Sequence, residues 1–200
     1  MEDKKMKHRR TTVSILAVLL LVYCGIAFGG NFTYKVEHPH EGGDVTPVQA
    51  NEMLQKDAAH TFLIDVRTQA EYELIGHPVA AHNIPLKFWS NDLDKEKGKY
   101  ILNANSNFAK ELLGKFNPKT DTVMFICRSG SRSCEATDAA VKAGWPADKA
   151  FNVMGGVEGN ILKDPASPQN GQRVVGGWKN ENLPWTYDMK KELLYTPAAK

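Results

Sequence analysis

The segment Thr122-Val-Met-Phe-Ile126 runs directly into Cys127-Arg-Ser-Gly-Ser-Arg132, and a helical pattern follows from about residue 133 to residue 143. An apolar run of strand formers with no polar alternation predicts a strand buried on both faces. Such a strand needs helices packed above and below it. This one feature therefore demands an α/β architecture, and it puts the cysteine loop at a strand's carboxyl end, where open α/β sheets bind ligands.

The rest of the chain has the alternation that such a sheet requires. Thr46-Pro47 pairs an N-cap with proline at the first helical position and opens a helix through about Lys56. Phe62-Leu-Ile-Asp-Val66 and the stretch from Ala81 to Pro85 read as short strands. Between them Thr68 caps a helical turn holding Glu71, Tyr72 and Leu74, which Gly76 closes. Phe108, Leu112, Leu113 and Phe116 recur at helical spacing, with Ser106 or Asn107 as cap and Asn117-Pro118 as stop. Gly144-Trp145-Pro146 ends the helix after the cysteine loop, Phe151 to Met154 is a further strand, and Gly155-Gly156 turns into a short helix. Residues 87–105 are polar and read as a surface excursion, and residues 164–182 as a long loop. The prediction is one α/β domain over residues 45–188, a mainly parallel central sheet flanked by helices. A linker at 31–44 precedes it and a C-terminal tail at 189–200 follows.

The N-terminus reads as an address. Lys4, Lys5, Lys7, Arg9 and Arg10 precede an uncharged apolar run at residues 13–28, the order of a secretory signal. Ala27 and Gly29 suit the −3 and −1 positions of a cut before Gly30. The competing reading is an uncleaved membrane anchor with its basic end inside. Tyr23 before Cys24 disfavours a lipoprotein signal. The body is expected outside the cytoplasm, periplasmic if cleaved and membrane-anchored if not.

With that basic head set aside, residues 31–200 hold 20 basic and 21 acidic residues. A near-neutral body argues against nucleic-acid binding, which needs a basic patch or stripe. Three cysteines are too few for a disulfide scaffold. His38 and His40 lack a carboxylate or cysteine partner in sequence and read as solvated, so no metal site is expected.

The chemistry concentrates in the cysteine loop. A thiolate is a nucleophile, and its formation is favoured beside arginine and at a helix N-terminus. Arg128 and Arg132 supply fixed positive charge. Ser129, Gly130 and Ser131 are small enough for backbone N–H groups to turn inward as an anion-binding nest, with Ser133 next in line. Cys134, in the first turn of the following helix, reads as a small core residue rather than a redox partner of Cys127.

These residues carry a resemblance. Leu63-Ile-Asp-Val-Arg67, Glu71-Tyr72, Gly76-His77, Asn83-Ile-Pro85, the loop Cys127 to Arg132, Met154-Gly-Gly156, and Gly177-Trp178 with Leu183-Pro184-Trp185 resemble, in order, a single-domain rhodanese. Pro78-Val79-Ala80 departs from the Ile-Pro-Gly usual there, and residues 157–176 are longer than the minimal domain carries. The resemblance implies a sulfurtransferase in which Cys127 takes sulfane sulfur from a small anion such as thiosulfate. It then passes the sulfur as a persulfide to cyanide, a thiol or a protein acceptor, without a cofactor. It further implies that Arg128 through Ser133 bind the substrate, and that Asp65 and Arg67 brace the fold. Two alternatives stay open: a sulfur carrier or docking module without turnover, and redox sensing through Cys127 and Cys134. A phosphatase or arsenate reductase is disfavoured, because only four residues separate Cys127 from Arg132 where those enzymes use five.

Overall fold

The structure, a computed structural model, describes residues 32–197. The expected signal or anchor at residues 1–30, with Cys24, lies outside the described residues. No helix among the described residues is long and apolar enough to cross a membrane.

The central sheet has five strands, all parallel. They are β1 (Gly43–Val45), β2 (Thr61–Asp65), β4 (Ala81–Asn83), β7 (Thr122–Ile126) and β8 (Ala150–Val153), in the order β1-β8-β7-β2-β4. The remaining strands, β3 (His77–Pro78), β5 (Lys87–Asp94), β6 (Lys99–Ala104), β9 (Asn160–Ile161), β10 (Arg173–Val175) and β11 (Trp185–Thr186), form two-stranded ribbons outside it. Four α-helices among the described residues accompany them: α1 (Pro47–Lys56), α2 (Gln69–Ile75), α3 (Phe108–Lys115) and α4 (Ser131–Lys142).

Strand β7 sits between β8 and β2, and its alternate side chains enter two separate cores. Val123 and Phe125 pack with Ile64, Phe108, Leu112, Ala136 and Ala140 on the α3/α4 face. Met124 and Ile126 pack with Leu63, Ala50, Tyr72 and Val153 on the α1/α2 face. Both faces are covered, which is why the strand lacks polar alternation. Each fully buried large side chain contributes about 1.5–3 kcal/mol of transfer free energy. The same alternation carries Cys127 onto the α3/α4 face just beyond the strand's end.

Helices α1 and α2 begin as the capping residues dictate. Thr46 and Thr68 each accept the N3 amide while Gln49 and Glu71 reach back to the cap, two complete capping boxes.

The structure departs from the sequence expectations at several places. Residues 87–105 are not an irregular excursion but the antiparallel ribbon β5/β6, turned at residues 95–98 with Asp94 Oδ1 accepting the amides of Glu96 and Lys97. Residues 164–182 include strand β10 rather than loop alone. Gly155 and Gly156 form a turn, not a helix, because successive φ values of +73° and +58° cannot continue right-handed helix. Helix α4 starts at Ser131, two residues earlier than expected, because Gly130 occupies the cap position.

The segment expected to be a linker also lies on the domain. Its last residues supply β1 at the sheet edge, where Gly43 pairs with Phe151. Tyr34 Oη donates to Glu181 and accepts the Gly177 amide, and the Glu41 amide donates to Asp138. The C-terminal tail docks likewise, with Leu193 buried and Tyr195 Oη donating to Glu111. A chain truncated to begin at residue 45 should therefore lose at least about 2 kcal/mol against one beginning at residue 31. Urea unfolding of the two checks this, and equal midpoints would mean the segment adds nothing.

Candidate functional site

The loop that follows β7 is built by close backbone approach. The carbonyls of Cys127 and Arg128 accept the amides of Val157 and Glu158 at 2.8 and 2.9 Å. A Cβ on Gly156 would lie 2.4 Å from the Cys127 carbonyl oxygen, so only glycine admits the two backbones this near each other. Gly130 has φ +120°, which folds the loop back over the cysteine before α4 begins.

Within that fold Cys127 is a free, buried thiol. The Gly130 N–H donates to its Sγ at 3.1 Å, and Ser133 Oγ lies 3.4 Å from it. The Ser133 hydroxyl donates its one proton to the Gly130 carbonyl at 2.8 Å, leaving its oxygen to accept from the cysteine S–H. The first-turn amides of α4 have no intrahelical acceptors, so the positive end of the helix faces the loop.

The loop opens into a cavity of about 830 Å³. Its floor is Cys127, Arg128, Ser129, Ser131 and Arg132, and its opposite wall is the β5/β6 ribbon. Five basic residues line it (Lys87, Lys97, Lys99, Arg128, Arg132) against the two acids Glu71 and Glu135. The site attracts anions.

The two arginines differ in what they can do. Arg128 is exposed and makes no ion pair among the described residues. Arg132 is held by Glu71, its two terminal nitrogens donating to the two carboxylate oxygens at 2.7 and 2.6 Å. Burial pushes the Glu71 carboxyl up, but hydrogen bonds and charge from Arg132, with the Thr68 amide, outweigh it and hold the group at about 2. Burial disfavours the Arg132 cation too, yet Glu71 raises its pKa above the ordinary arginine value. Arg132 was expected to supply fixed positive charge; it does so as half of an ion pair with Glu71.

The family model for the Rhodanese-like domain matches residues 46–161. The chain belongs to the rhodanese-like family. RP600, an uncharacterized protein of Rickettsia prowazekii, is 33% identical over 129 residues, which is 64% of this chain and 85% of that protein. Thiosulfate sulfurtransferase 18 of Arabidopsis thaliana is 35% identical over 108 residues, 54% of this chain and 70% of that protein. The crystal structure of Rv0390 from M. tuberculosis matches with a TM-score of 0.56 at 31% identity, covering 74% of this chain and 99% of the other.

In this rhodanese-like domain, of the loop residues named from sequence, Gly130 and Ser133 contact the Cys127 sulfur, and Arg128, Ser129, Ser131 and Arg132 line the cavity beside it. Asp65 and Arg67 lie apart from the cavity, as a fully buried pair joined at 2.6 Å, with Arg67 Nη2 also donating to the Gly76 carbonyl. Cys134 is buried and free, and burial pushes its thiol pKa up against the opposing His38 and Glu37 backbone amides. His38 and His40 are not simply solvated. The His38 ring meets Ser131 Oγ at 2.9 Å, and the His40 side chain is only 2% exposed beside Asp44.

Sequence reasoning missed Glu71 as a member of the site. The Thr68-x-x-Glu71 capping box was visible, but nothing in the sequence tells that the same carboxylate also faces Arg132. The sequence places the rim at residues 86–105 and 157–182; the first of these supplies the ribbon wall, and the second contributes no residue to the cavity lining.

Proposed function

We propose that this chain is an exported sulfurtransferase whose nucleophile is Cys127. The observation that carries the reading is a buried thiol on the floor of a cationic cavity, with the Gly130 amide aimed at its sulfur. The thiolate attacks the outer sulfur of a small anionic donor such as thiosulfate. The new Cys127 Sγ–S bond forms, the donor's S–S bond breaks, and sulfite leaves with the electron pair. Arg128 and the α4 amides, including those of Ser131 and Ser133, draw in the donor, while Ser129 and Gly130 shape the cradle. A thiophilic acceptor then takes the outer sulfur and frees Cys127. The sulfur rides on the protein, so the reading requires no metal or organic cofactor. Likeness to the Arabidopsis thiosulfate sulfurtransferase supports thiosulfate as the first donor to try. The basic head and apolar run of residues 1–30 support export.

Intact mass of the reduced protein after incubation with thiosulfate tests this. The expected result is a gain of about 32 Da that cyanide removes with repeated turnover. A persistent adduct that no acceptor discharges would make the domain a carrier. No adduct from thiosulfate would remove thiosulfate as donor.

A further inference from the structure

Residues 32–44 lie ahead of the segment that matches the family model, and the reaction proposed above uses none of them. They form a strap across the cysteine loop. Tyr34 ties its start to Glu181 and Gly177, the Glu41 amide ties its middle to Asp138 on α4, and Gly43 enters the sheet beside Phe151. Between these ties the strap touches two successive residues of the site. A Cβ added to Gly130 would lie 2.9 Å from Glu37 Cγ, so Glu37 packs directly on the glycine whose amide donates to Cys127 Sγ. His38 Nε2 lies 2.9 Å from Oγ of Ser131, the first residue of α4 and part of the cavity floor.

His38 is exposed, yet its backbone is fixed. Its carbonyl accepts from His40 Nδ1 at 3.0 Å, the His40 side chain being only 2% exposed, and its amide is directed at the buried Cys134 sulfur. A backbone held at both groups delivers the ring to one place. The contact it makes there controls the direction of a single proton. A serine hydroxyl has one proton to give and lone pairs with which to accept. His38 is the one side-chain partner of Ser131 Oγ among the described residues. When the hydrogen on Nε2 is donated to Ser131, the serine proton is left for the cavity. In the opposite direction that proton is spent on the histidine, and the serine lone pairs confront any anion on the floor.

We propose, resting on the sulfur-transfer reading above, that His38 is a positioning residue for the sulfur donor: it holds Ser131 so that the serine hydroxyl donates to an oxygen of the donor while the donor's outer sulfur faces Cys127. An anion in the cavity favours the form of His38 that carries hydrogen on Nε2, so donor and histidine act on the serine in the same sense. The strap thereby selects donors that end in an oxoanion, as thiosulfate does, over polysulfides, which offer the hydroxyl no oxygen. His38 itself does not touch the donor.

The apparent KM for thiosulfate, read at saturating cyanide, tests this. His38→Ala should raise it about fivefold and leave kcat within about twofold of the wild type. His38→Gln, which restores an N–H donor, should return KM to within about twofold of the wild type, whereas His38→Leu, which restores only bulk, should behave as alanine does. In a Ser131→Ala background the effect of His38→Ala should vanish, because the serine is the group through which it acts. With sodium tetrasulfide as donor, His38→Ala and the wild type should have equal KM. Far-UV circular dichroism checks that each variant is folded, as expected at an exposed position. An unchanged KM for thiosulfate in His38→Ala, a glutamine variant no better than leucine, an equal effect with and without Ser131, or an equal effect on both donors makes His38 a brace of the strap and overturns the proposal. Sulfur uptake from tetrasulfide but not from thiosulfate overturns it as well and leaves sulfur transfer standing. A wild type that takes sulfur from neither donor overturns the sulfur-transfer reading and this proposal with it.

Discussion

Cys127→Ser should abolish sulfur uptake, lowering its rate by at least about 10³-fold while the protein stays folded. The size of the loss follows from what surrounds the sulfur. A serine hydroxyl becomes a nucleophile only when an adjacent base removes its proton. The partners of Cys127 Sγ are the Gly130 amide, a donor, and the Ser133 hydroxyl, whose proton is already given to the Gly130 carbonyl. Among the described residues no histidine or carboxylate bonds to the sulfur, so the substituted oxygen has nothing to activate it. The position belongs to the α3/α4 core, and replacing sulfur by oxygen changes its volume little, so the stability cost should be about 1 kcal/mol. Intact mass after thiosulfate, with far-UV circular dichroism and urea unfolding alongside, separates lost chemistry from lost fold. A serine variant that still gains sulfur would move the nucleophile away from Cys127.

What the sequence made legible is what local chemistry determines. The β7 strand, the loop after it and helix α4 are contiguous, so hydrophobic pattern and glycine placement sufficed to find them. The threonines at 46 and 68 cap their helices because the capping partner is three residues away. Several of the failures depend on contacts distant in sequence. The β5/β6 ribbon stands outside the central sheet and most of its residues face solvent, so its composition reads as loop. Its turn, with Gly98 at φ +61°, lies between Phe88-Trp89 and Tyr100-Ile-Leu102 and was the available signal. Residues 31–44 read as a linker because the stretch is polar and carries two glycines and two histidines, yet Tyr34 finds Glu181 across 147 residues. Glu71 and Arg132 are 61 residues apart, and no local rule pairs them.

That pair carries the second large effect. Arg132→Ala removes a positive charge from the cavity floor and also uncovers the Glu71 carboxylate, which then faces the same space as an incoming anion. The two changes act in one direction, so KM for thiosulfate should rise at least about tenfold. Glu71→Gln added to Arg132→Ala should recover part of that loss, because it removes the uncovered negative charge while glutamine can still complete the capping box with Thr68. If the double variant is no better than Arg132→Ala, Arg132 acts by direct contact with the donor rather than by masking Glu71. Stability supplies an independent check. Glu71 titrates at about 2 in the folded protein against an ordinary value of 4.5, so the folded state favours its ionised form by about 3 kcal/mol. A depressed carboxylate pKa stabilises above the unfolded value, and that stabilisation disappears as pH falls through the folded value. The wild type should therefore exceed Arg132→Ala by roughly 3 kcal/mol at pH about 6, with the gap closing progressively between about 4.5 and 2. Urea unfolding across that range reads the gap directly. A difference independent of pH would mean that Arg132 stabilises through its packed stem, and the acid sensitivity of the domain would then have to come from another carboxylate.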